Sequence, residues 1–444
     1  RADIVKVSNA FTVGANTVAD NKITISKTPE GWTNGNVTAT VTYGKNITAN
    51  KKAGVGSANT ANATTVTVTS NGTVYAEGTD SAGNKATASL SVSNIDKTAP
   101  QITAISNSSN GNWANSNVTV TLTGSDVGSG IKEFQWYENG AWTTRALTTS
   151  GNTATITYTV NRNETVRYRV IDNVGNVSTE KTTVVKIDKT APTVSFGTNG
   201  GTLTITPGNT TATINSTVTA SDTGGSNLST VHYQITTSST SPSASDGSWT
   251  SISNGATVSA AKSGGTYYLH VKAVDGAGNT TITKTAAFTV NYKVVFNANG
   301  GTGAPGAQIK THGTNLTLSS TKPTWTGHTF LGWGTSASAT TATYSAGGTY
   351  STNAATNLYA VWKTHQYTVE YNGNGATSGS TASSSHTYGV AKALTTNGFV
   401  RKGYTFKGWA TTNTGSVAYT DKQSVTNLSN QDGAKVILYA VWQI

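Results

Sequence analysis

Cysteine and methionine are both missing from the 444 residues. That excludes disulfide frameworks, thiolate metal centres and cysteine nucleophiles, and removes the two most oxidisable side chains. Charged residues make up only 11% and hydrophobic ones 35%, which suits neither a helical bundle nor a charged disordered tail. Apolar runs of the 18 or so residues needed to span a bilayer are absent, as is a charged-then-apolar signal segment. With no initiator methionine, Arg1 is expected to follow a cleavage or an expression boundary. Any attachment is expected to lie outside the sequence, or the chain to be held by its neighbours in an assembly.

What fills the chain is threonine, serine, asparagine and glycine. Threonine favours pleated surfaces, whereas glycine and asparagine favour turns, so many short strands are predicted. The net charge of +11 is uneven, with +3 over residues 1–275 and +8 over residues 276–444. The basic residues are spread rather than clustered, which argues against nucleic acid and leaves anionic wall polymers or lipid headgroups as polyanions they could attract.

Two kinds of internal repeat organise this composition. The first is marked by a strand running into an Asp-x-x-Gly-Asn turn, with its aspartate at Asp80, Asp172 and Asp275, spacings of 92 and 103 residues. That period is the size of an immunoglobulin-like sandwich. Upstream of each turn, Val74, Ala76 and Gly78, then Val166, Tyr168 and Val170, then Leu269, Val271 and Ala273 alternate as one strand face and are predicted to point inward. Strict alternation recurs earlier in each copy, at Val37, Ala39, Val41 and Tyr43, at Val118, Val120 and Leu122, and at Ala212, Ile214, Val218 and Ala220. Between copies stands a repeated joint, Ile95-Asp96-Lys97-Thr98-Ala99-Pro100 and Ile187-Asp188-Lys189-Thr190-Ala191-Pro192. Proline holds its predecessor extended, so limited bending is expected there.

Residues 30–291 resemble the tandem immunoglobulin-like domains of Gram-positive surface proteins joined by Asp-Lys-Thr-Ala-Pro linkers, the third copy being the most divergent. The resemblance implies a stalk or adhesion module without chemistry of its own.

The second repeat begins near Tyr292. Val295-Phe296-Asn297-Ala298-Asn299-Gly300 is answered by Glu370-Tyr371-Asn372-Gly373-Asn374-Gly375, Phe330-Leu331-Gly332-Trp333 by Phe406-Lys407-Gly408-Trp409, and the closing Leu358 to Trp362 by Leu438 to Trp442. This pair resembles the Listeria-Bacteroides repeat, or internalin B-repeat, which implies a small β-rich module with a β-grasp-like, ubiquitin-like or mucin-binding-like sheet in a secreted or wall-associated bacterial protein. Such modules often carry one short helix, and no strongly amphipathic helical stretch is visible here.

The expected fold is all-β and elongated, tandem immunoglobulin-like sandwiches followed by two small β-rich modules. The expected divisions are residues 1–98, 99–190, 191–291, 292–363 and 364–444. In series, five modules would extend well over ~150 Å. Residues 1–29 fit neither repeat; they complete the first sandwich, or Ile4, Val5, Val7, Phe11 and Val13 form a strand that couples to another subunit's sheet edge.

Searches for chemistry return little. The six histidines are dispersed and read as surface or strand residues, and no nucleophile elbow, phosphate loop or paired-carboxylate pattern occurs. No cofactor is expected. Structural calcium is conceivable at the loops beginning at Asp126 and Asp222, or at the joint residues Asp96 and Asp188, with turn formation the default role of these aspartates. A buried Lys–Asn isopeptide bond is chemically possible but no pair is identifiable. Trp333, Trp409, Trp362 and Trp442 recur in both copies and read as packing residues. Trp136, Tyr137 and Trp142, in a hairpin peculiar to the second domain, are the candidate ligand-binding surface.

The leading expectation is a non-enzymatic stalk, fibre or filament subunit of a bacterial surface, self-assembling by strand addition or end-to-end contacts. The alternatives are an adhesin for glycan, host matrix or anionic wall polymer, and the non-catalytic tail of a secreted enzyme.

Overall fold

The computed structural model describes residues 20–145, 147 and 151–444. The candidate coupling residues Ile4, Val5, Val7, Phe11 and Val13 lie outside them. The described residues form strands and turns with no helix. Packing divides them into two compact units, one of the described residues up to 192 with residues 222–229 and 274–279, the other of residues 193–221, 230–273 and 280–444.

In the first unit, the strands Ile23–Thr28, Val37–Tyr43 and Thr65–Val68 form a three-stranded antiparallel sheet. Thr60–Ala61, Ala49–Val55, Gly72–Thr79 and Lys85–Val92 form a four-stranded one. The two face each other through Val37, Ala39 and Val68 on one side and Val74 and Val92 on the other. A second pair of sheets follows, Thr153–Val160, Val118–Ser125 and Gln101–Asn107 against Ala141–Arg145, Ile131–Glu138, Glu164–Asp172, Lys181–Ile187 and Trp113–Ala114. Its core joins Val118, Val120 and Leu122 to Phe134, Trp136 and Tyr168. Except for Tyr43, which is half-buried, the alternating residues predicted to point inward are buried in both pairs, as the two-residue period of a half-buried strand requires.

In the second unit, Thr193–Phe196, Ala212–Ser221 and Thr257–Lys262 make a three-stranded sheet. Ile214, Val218 and Ala220 are buried there, Ala212 is only partly so, and Ser216 completes the inward row by donating Oγ to Thr198 O at 2.8 Å. The strand Phe288–Asn297 has two parallel partners in succession, and Gly265–Asp275 pairs antiparallel with its start. Its first half pairs in parallel with Gly201–Ile205, and its second half with Thr356–Thr364, while Gln308–Lys310 pairs antiparallel beside it. The division expected between residues 291 and 292 therefore falls inside one continuous strand.

The aromatic-Gly-Trp motif of the second repeat is a β-bulge. Pairing of His328–Gly334 with Thr356–Thr364 shifts between Phe330 and Gly332, and that of Thr405–Ala410 with Lys435–Gln443 shifts between Phe406 and Gly408. Gly332 and Gly408 sit at φ 142° and 149°, and a Cβ there would meet Tyr344 O at 2.6 Å or Tyr419 O at 2.5 Å. The extra residue re-aims the following side chain, so that Trp333 and Trp409 are fully buried. Phe296 and Phe330 pack on Trp333 with ring centroids 4.9 and 5.0 Å away, and Tyr371 and Phe406 pack on Trp409 at 4.7 and 4.9 Å. The Asn-Gly turns close both modules alike: Asn299 and Asn374, at φ 47° and 45°, donate Nδ2 to Ala360 O at 3.0 Å and Ala440 O at 2.9 Å.

Candidate functional site

Two clusters of three aspartates are the densest grouping of chemistry-bearing side chains among the described residues. Asp96, Asp126 and Asp172 bring one carboxylate oxygen each within 4.8 Å of one another, and so do Asp188, Asp222 and Asp275. Each triad takes one aspartate from the Asp-Lys-Thr-Ala-Pro joint, one from a Gly-rich loop and one from the Asp-x-x-Gly-Asn turn. All six residues belong to the first unit.

Local bonding explains how each is placed. The joint aspartate is fixed by its backbone, Asp96 N donating to Thr33 O at 2.8 Å and Asp188 N to Ala114 O at 2.9 Å. Its side chain then reaches across the joint. Asp96 Oδ2 accepts from Ser129 N at 2.7 Å, and Asp188 Oδ2 from Ser226 N at 3.0 Å and Ser226 Oγ at 2.5 Å. In the turn, Asp172 accepts from Val174 N, Asn176 N and Asn176 Nδ2, and Asp275 accepts from Ala277 N, Asn279 N and Asn279 Nδ2. The same asparagine amides also donate back to the joint, Asn176 Nδ2 to Asp96 O at 3.0 Å and Asn279 Nδ2 to Asp188 O at 2.8 Å. The joint lysines turn elsewhere: Lys97 Nζ donates to Asn36 Oδ1 and Thr69 O, and Lys189 Nζ to Asn117 Oδ1 and Asn161 O.

Asp96, Asp126, Asp172, Asp188 and Asp275 are buried, at 0–4% exposure, and Asp222 is half-buried. Burial raises the Asp96 carboxyl, but hydrogen bonds from Ser129 and Thr98 outweigh it and hold its pKa below the ordinary value. At Asp188, burial is likewise outweighed by hydrogen bonds from Ser226 and Thr190. Among the described residues none of the six carboxylates is in an ion pair. Two unit charges 4.8 Å apart repel by roughly 3–4 kcal/mol at an effective dielectric constant of about 20, so each triad concentrates uncompensated negative charge. Asp80 supplies the comparison. It makes the same turn bonds, from Ala82 N, Asn84 N and Asn84 Nδ2, stands in no triad, and is half-buried.

The expected ligand-binding hairpin is divided by the fold. Trp136 is 1% exposed and packs between Tyr158 and Tyr168, with centroids at 5.2 and 5.5 Å, so it has no free face to offer and belongs to the core. Strand alternation turns Tyr137 to the other side of the sheet. It meets Trp142 there at 5.3 Å, and both rings are covered by guanidinium groups, Arg167 at 4.3 Å from Tyr137 and Arg169 at 4.2 Å from Trp142. An aromatic cavity of about 440 Å³ opens instead beside the first Gly-rich turn of the second unit, walled by Trp325, His328, Phe330 and Trp362. Trp325 and His328 stack at 3.8 Å, and Trp362 donates Nε1 to Ala298 O at 3.0 Å. In the second repeat the stacked pair becomes Arg401 over Tyr404, 4.0 Å apart. Trp325 has no tryptophan counterpart in the second copy, and that asymmetry was the sequence signal for it.

The histidines stay dispersed, but two are core residues rather than surface ones. His270 is fully buried with Nε2 near Thr236 Oγ1 and Ser238 O, and His386 is buried against Tyr367. Burial lowers the pKa of both. The unfolded chain therefore protonates first as pH falls, so their contribution is fully present above about pH 6.5 and is lost as pH drops toward the folded pKa. The midpoint of thermal unfolding should fall between pH 7 and pH 5, and the His270→Gln, His386→Gln double variant should show a flatter slope; an unchanged slope would assign the effect to other groups. Lys310 is also buried, with Nζ bonded to Thr311 O and Asn353 Oδ1, the latter at 2.8 Å. Burial lowers its pKa. Among the described residues no carboxylate joins this pair, so the acid that would assist isopeptide formation is not supplied by its hydrogen-bond partners.

Among solved structures, similarity extends to a 1.5-MDa bacterial ice-binding adhesin, at 19% identity over 58% of this chain and 91% of that one, TM-score 0.28. It extends also to a Ca2+-stabilized adhesin with which an Antarctic bacterium binds ice, at 18% identity over 64% and 83%, TM-score 0.27. The N-terminal eight immunoglobulin domains of the Down syndrome cell adhesion molecule match at 11% identity over 67% and 41%, TM-score 0.28. Superpositions this loose carry no argument about this chain. No curated protein matches it. The model of the Listeria-Bacteroides repeat domain matches residues 292–361 and 367–441, and the last third of the chain is a Listeria-Bacteroides repeat region.

Proposed function

We propose that the chain is a non-enzymatic structural protein of a bacterial surface, a stalk or fibre subunit of three immunoglobulin-like domains and two Listeria-Bacteroides repeats. The observation that carries this reading is the construction of the joints. The same six-residue linker occurs twice, and each copy is pinned by the same asparagine, aspartate and serine bonds to the domain that follows it. Linkers buried at both ends, at Ile95, Asp96 and Pro100 and at Ile187, Asp188 and Pro192, and bonded to the next domain transmit orientation from module to module, which a spacer requires and a substrate-processing chain does not. Electron microscopy of the purified chain tests this: extended particles of constant length support it, and collapsed or freely jointed particles overturn it. Fibres that disappear on deletion of residues 1–19 would assign Ile4, Val5, Val7, Phe11 and Val13 to subunit coupling.

An adhesive reading is favoured by one specific observation, the cavity at Trp325. Trp325 is 39% exposed and presents an apolar face suited to stacking on a sugar ring. Any glycan retained on an array should be lost with Trp325→Ala while the unfolding midpoint moves little; retention by that variant would remove the cavity from consideration.

A further inference from the structure

We infer that each aspartate triad is a binding site for one calcium ion, so that the chain takes up two. Turn formation accounts for Asp172 and Asp275, whose two oxygens are both bonded to the turn itself. It does not account for Asp126. That side chain is 4% exposed, and while its Oδ2 accepts from Gly128 N and Gly130 N, its Oδ1 is buried with no hydrogen-bond partner among the described residues. In the second triad Asp222 is half-buried, but its Oδ2 atom is likewise buried without a hydrogen-bond partner among the described residues. A buried carboxylate oxygen without a donor is costly, and finding one at the equivalent loop position of both joints marks a place where a cation supplies the missing partner.

The chemistry of the donors selects the ion. The ligands of both triads are carboxylate oxygens, with no histidine in either group, which suits a hard cation rather than zinc or copper. Calcium accepts flexible all-oxygen sites of this kind at about 2.3–2.6 Å, whereas magnesium demands near-ideal octahedral geometry and gives up its water reluctantly. Space is reserved as well: a Cβ at Gly128 would overlap the carboxylate of Asp96, and one at Gly224 that of Asp188. A bound ion would tie three segments on the two sides of each joint to one centre.

Isothermal titration calorimetry of the full chain, stripped with EDTA and titrated with CaCl2, tests the inference. The expected result is two ions per chain with Kd on the order of 10⁻⁴ M or tighter, a raised unfolding midpoint, and a much weaker response to MgCl2. Asp126→Asn and Asp222→Asn should each reduce the stoichiometry to one, the double variant to zero, and Asp80→Asn should leave it at two. Midpoints of the variants in EDTA, compared with the parent's in EDTA, establish that they fold. Should Asp126→Asn fail to fold, Asp222→Asn and terbium luminescence excited through Trp113, whose ring lies against Gly225 of the second triad's loop, decide alone. No uptake at millimolar calcium, or a stoichiometry of two retained by the variants that fold, would overturn the inference.

Discussion

Replacing Trp409 with alanine is expected to remove about 3–5 kcal/mol from the stability of the last repeat. Such a loss is comparable to the whole margin of a module of this size. The ring is fully buried and forms the centre against which Tyr371, Phe399 and Phe406 pack. Truncation would leave a cavity bounded by a bulge that cannot collapse, because Gly408 holds φ 149° with Tyr419 O close beside it. Trp409→Phe should cost much less. The indole Nε1 is buried without a hydrogen-bond partner, so the phenyl ring loses volume and no bond. Denaturant unfolding followed by Trp fluorescence checks both variants, and Trp333, with the same surroundings and the same unpartnered Nε1, should respond in parallel. Equal losses for Trp409→Phe and Trp409→Ala would show that the indole nitrogen, not the ring volume, carries the contribution.

Gly224→Ala is the second change with a large expected effect, and it acts at the joint rather than on a core. Gly224 is outside the left-handed region, so alanine meets no backbone penalty. Its methyl would occupy the position of the Asp188 carboxylate. Asp188 must then give up its bonds from Ser226 N and Ser226 Oγ, and overpacking adds to the loss, about 1–3 kcal/mol before the bonds are counted. Limited proteolysis should show new cutting near Thr190 with both flanking domains still folded by circular dichroism. Gly128→Ala should do the same near Thr98, where Asp96 would be displaced. Gly83, whose added Cβ would meet nothing but whose φ is +85°, is the contrasting position: alanine there strains the turn and leaves the joints untouched.

The strand faces were legible because a period of two needs only neighbouring residues to be read. Val118, Val120, Leu122, Val166, Tyr168 and Val170 follow it into the core without exception. The repeat landmarks were legible for a similar reason, each being a local turn or bulge with its own residue requirements. Trp136 was misjudged because two adjacent aromatics in a strand necessarily face opposite ways, and which one faces the core depends on the sheet above it. The aspartates were recognised one loop at a time, whereas the three that converge are up to 87 residues apart, as Asp188 and Asp275 are. Their meeting depends on one domain docking on the next, and spacing along the chain does not encode that.

The strand Phe288–Asn297 also decides how the chain can be divided. A fragment ending at residue 291 would leave Gly201–Ile205 paired with a truncated neighbour, and one starting at 292 would present Thr356–Thr364 with a partner frayed at its first residue. Either cut creates a free sheet edge, which invites pairing with other copies. A cut at His365, between the strands Thr356–Thr364 and Gln366–Asn372, interrupts no strand and is expected to be better tolerated.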